Sequence, residues 1–323
     1  MKYVNLGTTG VKVSALCMGT MTFGAQADEA ASKELFEACL DAGVNFFDTA
    51  DMYTSGESER ILGGLIKGRR DGLVIATKVY FPMGEGVNDR GASRYHTTRA
   101  CEASLRRLGT DRIDVYYIHR FDDDCDLEES LLGLELLARQ GKILYPALSN
   151  FAAWQVQKAL GVCALRGFIR PACIQPMYNL VKRQAEVEIL PQAMDAGLGV
   201  LPYSPLAAGL LTGKYRKGAG GSGRISESEQ YETRYGVSHY GQIAEAFVEL
   251  ADEVGMHPVS LAIAWVAAHP AVTAPLLGAR NVTQLAPALA SADIDLPYRS
   301  ELYDRIRAIS PDPPPATDRN EER

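Results

Sequence analysis

The chain has 323 residues, enough for one large α/β domain or two small ones. Apolar residues make up 46% and charged residues 23%, which excludes a largely disordered chain. The formal net charge of −7 argues against nucleic acid as the main partner, while leaving room for a local basic pocket.

At the start, Lys2–Leu6 and Val11–Val13 flank a Gly-Thr-Thr-Gly turn. This predicts an N-terminal β-hairpin that plugs the lower mouth of whatever follows. From there, short β-type runs alternate with segments whose apolar residues recur at helical spacing. Ala15–Gly19 precedes a helix over Ser32–Ala42, and Asn45–Asp48 precedes Ser58–Lys67. Leu73–Lys78 leads to Thr97–Leu108, and Ile113–His119 to Leu127–Gln140. Ile143–Ser149 leads to Ala152–Leu165, and Ala172–Pro176 to Glu186–Ala196. After Leu198–Tyr203 comes a long segment, Lys214–Tyr240, containing the Gly-rich stretch Gly218–Gly223, and then the helix Gln242–Val254. Val272–Gly278 and a last helix, Tyr298–Ile309, close the pattern. Long segments of this kind in compact domains are usually lids or disordered. Pro146 lacks a ladder donor inside its strand and predicts a bulge.

Eight strands alternating with helices predict a parallel α/β arrangement. An open doubly wound sheet usually carries G-x-G-x-x-G after an early strand, and none occurs here. Eight repeats in this length fit a (β/α)8 TIM barrel with no Rossmann domain. Residues 1–310 read as one barrel domain, and 311–323 as a Pro-rich, charged, frayed tail.

Barrel active sites lie at the C-terminal ends of the strands. Polar residues stand there in succession: Asp48, with Tyr53 in the loop behind it, then Lys78, His119, Ser149 and Asn150, Gln175, Tyr203 and Ser204, and Arg280 after the last strand. The first four form a chemical unit. A tyrosine hydroxyl loses its proton near about pH 10, and a neighbouring ammonium favours the phenolate. At an effective dielectric of ~20, charges ~4 Å apart interact by ~4 kcal/mol. Lys78 supplies such a charge, Asp48 holds Lys78 in place, and His119 can aim a substrate carbonyl. Each also has a bland reading: a turn-capping aspartate, a rim tyrosine, a solvated lysine, a structural histidine. As a set on adjacent strands they point to catalysis.

The segments that carry these residues resemble the aldo-keto reductase superfamily. They are Leu6–Gly24 (LGTTGVKVSALCMGTMTFG), Asn45–Tyr53 (NFFDTADMY), Val74–Val79 (VIATKV), Leu105–Arg120 (LRRLGTDRIDVYYIHR), Leu148–Phe151 (LSNF), Val200–Tyr215 (VLPYSPLAAGLLTGKY) and Leu276–Leu285 (LLGARNVTQL). The resemblance implies a catalytic tetrad on Asp48, Tyr53, Lys78 and His119. It implies hydride transfer from NADP(H) to a small-molecule aldehyde or ketone, with no metal. Ser149, Asn150 and Gln175 would hold the nicotinamide carboxamide, with Tyr203 stacked on its ring. Ser204, Leu206 and Gly209 would approach the ribose and pyrophosphate, and Gly278, Arg280 and Gln284 the adenosine end. Arg280 is a natural partner for a 2′-phosphate, which favours NADP over NAD. Similar barrels also serve as potassium-channel β subunits, so a redox-sensing binding protein with weak turnover is the alternative.

Phe121 and Ala288 depart from residues common in that family, which puts the substrate wall and the adenine contact in question. The pocket walls are expected around Phe23, Tyr80–Tyr95, Phe121 and Ser222–Tyr240. Gly209-x-x-x-Gly213-Lys214 has the wrong spacing for a phosphate loop. The acidic run Asp122–Asp126 reads as a solvated loop face. His96, His239, His257 and His269 lack paired ligand spacing. Six scattered cysteines with no C-x-x-C suit a reducing compartment. Met1–Gly10 has no apolar signal core and no run is long enough to span a bilayer, so a cytoplasmic location without a membrane partner is expected.

Overall fold

Residues 1–215 and 223–317 are described by a computed structural model. Most of the Gly-rich stretch and the end of the tail therefore lie outside the described residues. Strands β1 (Tyr3–Asn5) and β2 (Lys12–Ser14) pair antiparallel as the expected hairpin. Then follow β3 (Cys17–Gly19), β4 (Phe46–Asp48), β5 (Val74–Val79), β6 (Ile113–Ile118), β7 (Ile143–Ser149), β8 (Cys173–Gln175), β9 (Gly199–Val200) and β10 (Leu276–Leu277). These eight run parallel in the order β10-β3-β4-β5-β6-β7-β8-β9. The two edges meet through bonds from the Thr273 N–H to the Val200 carbonyl, 2.8 Å, and from the Leu276 N–H to the Pro202 carbonyl, 2.9 Å. The result is a (β/α)8 TIM barrel.

Alternation along the strands splits the core in two. Val115 and Tyr117 of β6 join Cys17, Phe46, Ala76, Ala147, Cys173 and Leu201 inside the barrel. Tyr116 and Ile118 face the helical layer. Leu6 and Val13 of the hairpin belong to the inner cluster, so the hairpin does plug the barrel floor. Gly7 makes that fit possible. It has φ +54, and a Cβ there would lie 2.7 Å from the Gly199 nitrogen and 2.8 Å from the Ala172 oxygen.

The outer layer comprises α1 (Glu29–Asp41), α2 (Glu57–Ile66), α3 (Arg94–Leu108), α4 (Leu127–Arg139), α5 (Ala153–Arg166) and α6 (Ile189–Asp195). It continues with α7 (Arg224–Glu227), α8 (Glu229–Tyr235), α9 (Ser238–Glu253), α10 (Pro258–Ala268), α11 (Val282–Ala290) and α12 (Glu301–Ile309). Side-chain caps set several starts: Asp28, Ser93, Asp126 and Ser300 each accept a backbone N–H of the first turn. Asp126 and Asp122 of the acidic run are accounted for this way, since Asp122 accepts from the Ala92 and Asp124 backbones.

Four expectations need correction. Helices α10 and α11 were missed. The second half of the Lys214–Tyr240 segment forms α7, α8 and the start of α9 rather than loop. β9 and β10 are each two residues long, far shorter than expected. β7 runs through Pro146 without a bulge: Val115, Tyr116 and Tyr117 pair in step with Tyr145, Pro146 and Ala147. Only one donor is missing, and the Pro146 carbonyl still accepts from Ala172.

Candidate active site

At the C-terminal end of the barrel lies a cavity of about 1030 Å³. It is lined by Asp48, Tyr53, His119, Ser149, Asn150, Gln175, Tyr203, Ser204, Leu206, Gly209, Gly278, Arg280 and Gln284. Lys78 lies fully buried behind this wall. The residues expected for catalysis and cofactor binding therefore converge on one site.

Lys78 is the centre of its deepest part. Its ammonium donates to Asp48 Oδ1, to the Thr49 carbonyl at 2.7 Å and to the Tyr53 hydroxyl at 3.4 Å. Three donors meet three acceptors, so the buried charge is satisfied. Asp48 Oδ2 accepts from Gln175 Nε2 at 2.9 Å. Gln175, expected as a carboxamide ligand, thus also fixes the carboxylate; nothing local in the sequence signals that contact across the barrel.

Burial works against the Lys78 ammonium, but Asp48 and Tyr53 together hold its pKa above the ordinary lysine value. Burial raises the Tyr53 hydroxyl, Lys78 lowers it, and the net direction is up. The expected lowering by Lys78 is present but smaller than desolvation. Tyr53 therefore keeps its proton across the neutral range. Burial and the Lys78 charge push His119 well below the usual histidine value, so its ring is neutral. His119 Nδ1 is buried with no hydrogen-bond partner among the described residues. Nε2 is then the nitrogen available to the cavity.

The backbone around Tyr53 is braced. Tyr53–Gly56 forms a 3₁₀ turn in which Thr54 and Ser55 take positive φ, 49° and 53°. Ser58, at the start of α2, ties this turn to the strand ends. Its hydroxyl donates to the Thr20 carbonyl at 2.7 Å and meets the Thr49 and Thr20 hydroxyls at 2.9 and 2.8 Å.

Farther along the cavity, Tyr203 donates to Asn150 Oδ1 at 2.7 Å. Asn150 Nδ2 donates to the His119 carbonyl at 2.9 Å. Left-handed backbone at Asn150, Ser204, Ala207 and Ala208, and at Gly209 with φ +94, curls the wall into a concave turn. A Cβ on Gly209 would lie 2.8 Å from Lys214 Cε, so glycine leaves room for that side chain. Such turns present successive backbone N–H groups, a geometry suited to anions. At the far end Arg280 donates from its backbone to Gln284 Oε1 at 3.1 Å, and its guanidinium pairs with Glu227 at 2.7 Å.

The substrate walls match expectation in part. Phe23 is fully buried, and Phe121 packs edge-on against Phe151, 5.3 Å between centroids, and against Trp154. Neither lines the cavity. Phe81, within the expected Tyr80–Tyr95 stretch, does, with its ring 5.0 Å from that of His119. Tyr231 and Arg234, within the expected Ser222–Tyr240 stretch, also line it, while Met21, Met52 and Arg120 complete that end without having been expected. Arg120 directly follows His119, the one positional hint available.

The aldo/keto reductase family model matches residues 15–311. The chain belongs to the aldo/keto reductase family. Among curated relatives of this aldo/keto reductase, the uncharacterized oxidoreductase YrpG of Bacillus subtilis (strain 168) is 40% identical, covering 97% of both chains. A probable voltage-gated potassium channel subunit beta of Arabidopsis thaliana is 36% identical, over 96% of both chains. One of Oryza sativa subsp. japonica is also 36% identical, over 98% of this chain and 99% of its own. Family and similarity make the chain an oxidoreductase. No helix among the described residues is long and apolar enough to cross a membrane.

Proposed function

We propose that this oxidoreductase uses NADPH to reduce an aldehyde or ketone to the alcohol. The arrangement of Lys78 carries the reading. Because its ammonium donates to the Tyr53 oxygen, the Tyr53 proton is free to point at a substrate. Tyr53 donates that proton to the carbonyl oxygen, and Lys78 stabilises the phenolate left behind. Asp48, held by Gln175, keeps Lys78 charged and in place. Neutral His119 offers a second donor from Nε2 and orients the carbonyl without competing for the proton.

A bound reduced nicotinamide would supply the hydride. The cavity fits such a dinucleotide: it is far larger than a small carbonyl needs and runs from Tyr53 to Arg280 and Gln284. Ser149, Asn150 and Gln175 would hold the carboxamide, and Tyr203 would lie against the ring. Ser204, Leu206 and Gly209, with Lys214, suit the phosphates. Gly278, Arg280 and Gln284 suit the adenosine end, with Arg280 placed for a 2′-phosphate. Residues 1–310 act as one catalytic unit in this reading.

Oxidation of NADPH or NADH across a broad carbonyl panel tests the proposal, and none with either cofactor overturns it. Tyr53→Phe is expected to cut reduction about a hundredfold or more, the usual share of a general acid, with NADPH affinity nearly unchanged. Lost affinity would make Tyr53 structural. The similarity to plant channel β subunits favours a second reading, a cofactor-binding regulatory protein. Tight cofactor binding with turnover far below ~1 per second would support it.

A further inference from the structure

We infer that the carbonyl substrate carries an anionic group recognised by Arg120 and Arg234; this rests on the reductase reading above. Both arginines line the same cavity as Tyr53 and His119. Arg280 and Lys214, the cations at the other end, are used by the proposed cofactor. Arg120 and Arg234 lie outside that set.

Position ties them to the reacting end. Arg120 directly follows His119 in the chain. The Arg234 guanidinium lies over the Tyr231 ring, 5.6 Å from its centroid. Tyr231 is close enough to Tyr53 to influence its ionisation, and Arg234 does the same for Tyr203. The two arginines therefore stand at the end where a substrate would meet Tyr53.

Their lack of counter-charge is the second observation. Elsewhere arginines mostly meet carboxylates: Arg60 with Glu57, Arg69 with Glu37, Arg112 with Asp71, Arg305 with Glu253. Among the described residues neither Arg120 nor Arg234 has a carboxylate within 4.0 Å. Asp122, two residues from Arg120, is turned to the Ala92 and Asp124 backbones. Two guanidinium groups that line one cleft without a paired carboxylate, in a chain of net charge −7, give that cleft a local positive field. A guanidinium matches a carboxylate or phosphate in a bidentate fork, and a cleft wall with lower dielectric strengthens that bond.

The substrate class is thus an aldehyde or ketone bearing a carboxylate or phosphate, its carbonyl at Tyr53 and its anion toward Arg120 and Arg234. Kinetics on matched pairs test it: para-carboxybenzaldehyde against its methyl ester, and glyceraldehyde phosphate against glyceraldehyde. The expected result is a kcat/KM at least about tenfold higher for the anionic member of one pair, carried by KM. Which pair shows it tells carboxylate from phosphate. In Arg234→Gln or Arg120→Gln that ratio should fall toward unity, and Arg234→Lys should restore part of it. A variant that fails to fold loses both members of a pair equally; the Lys variant and the second arginine then decide. Turnover of all four substrates without charge preference, or a ratio unaltered in both Gln variants, overturns the inference and leaves the reductase reading standing. Turnover of none of the four overturns this inference; the reductase reading falls with it only when the broad carbonyl panel also gives none with either cofactor.

Discussion

At the residue scale, the site is a problem in keeping two protons where they belong. In the proposed reaction Tyr53 holds its proton until the carbonyl takes it; burial raises the hydroxyl above its ordinary value by more than Lys78 lowers it. His119 must stay neutral, and burial with the Lys78 charge ensures that. Carbonyl reduction is therefore expected to be flat in kcat/KM from about pH 6 to about pH 9, and to fall only as Tyr53 ionises at higher pH. An acid limb near about 6.5, the ordinary histidine value, would sink the neutral-His119 argument. The Asp51 carboxyl, next to the site, behaves differently. Among the described residues neither buried Asp51 oxygen has a hydrogen-bond partner, and burial with the nearby Glu59 charge pushes its pKa up to about 8. The folded chain thus holds a proton that the unfolded chain releases near about 3.9. Stability from that proton is complete at low pH and is lost as pH rises toward 8. Asp51→Asn removes the penalty, so it should raise Tm more at about pH 8 than at about pH 5. An equal gain at both would refute the raised pKa. The grouping of Asp48, Tyr53, Lys78 and His119 was legible because each ends a strand or follows one, a position that chain order reveals. The Gln175–Asp48 bond was not, since it joins residues 127 apart that only barrel closure brings together.

At the element scale, α2 shows how the outer layer holds the catalytic turn. Its first residues, Ser58 and Glu59, face inward: Ser58 braces the strand ends, and Glu59 accepts from Thr77 at 2.6 Å and pairs with Arg107 of α3 at 2.6 Å. The two helices touch backbone to backbone at Gly63, where a Cβ would lie 2.7 Å from the Arg107 oxygen and the Leu108 carbonyl carbon. Gly64, its neighbour, has nothing within 4 Å of the same point. Alanine is a better helix former than glycine by about 0.8–1.0 kcal/mol. Gly64→Ala should therefore stabilise by roughly that amount, and Gly63→Ala should destabilise although the propensity gain is the same. Chemical denaturation of both variants checks this, and two stabilised proteins would refute the close helix contact. The helices that were legible have one apolar stripe. α10 has none to find, because Val259 to Val266 are buried all round. Its available signals were His257 as cap and Pro258 at the first position. β9 and β10 shrank because the barrel closes there through backbone bonds from Thr273 and Leu276 outside the regular ladder.

At the scale of the whole molecule, the helices after β9 shape the end of the cavity proposed for the adenosine of the cofactor. Glu227 of α7 reaches across to Arg280, beyond β10, with 2.7 Å between charged atoms. That pair bridges the far end of the groove where the adenosine would lie. It is about one-third exposed at Arg280, so the ion pair itself contributes little to stability. Its effect on binding is larger, because a 2′-phosphate and the Glu227 carboxylate compete for one guanidinium. Arg280→Ala should weaken NADPH more than NADH, as loss of a phosphate contact requires. Glu227→Gln should do the reverse, tightening NADPH while leaving NADH nearly unaltered, because the guanidinium no longer has to exchange one anion for another. Titration of both cofactors against both variants reads the four affinities. If Glu227→Gln altered NADPH and NADH alike, Glu227 would be shaping the groove through α7 rather than through Arg280, and the 2′-phosphate assignment would lose its support.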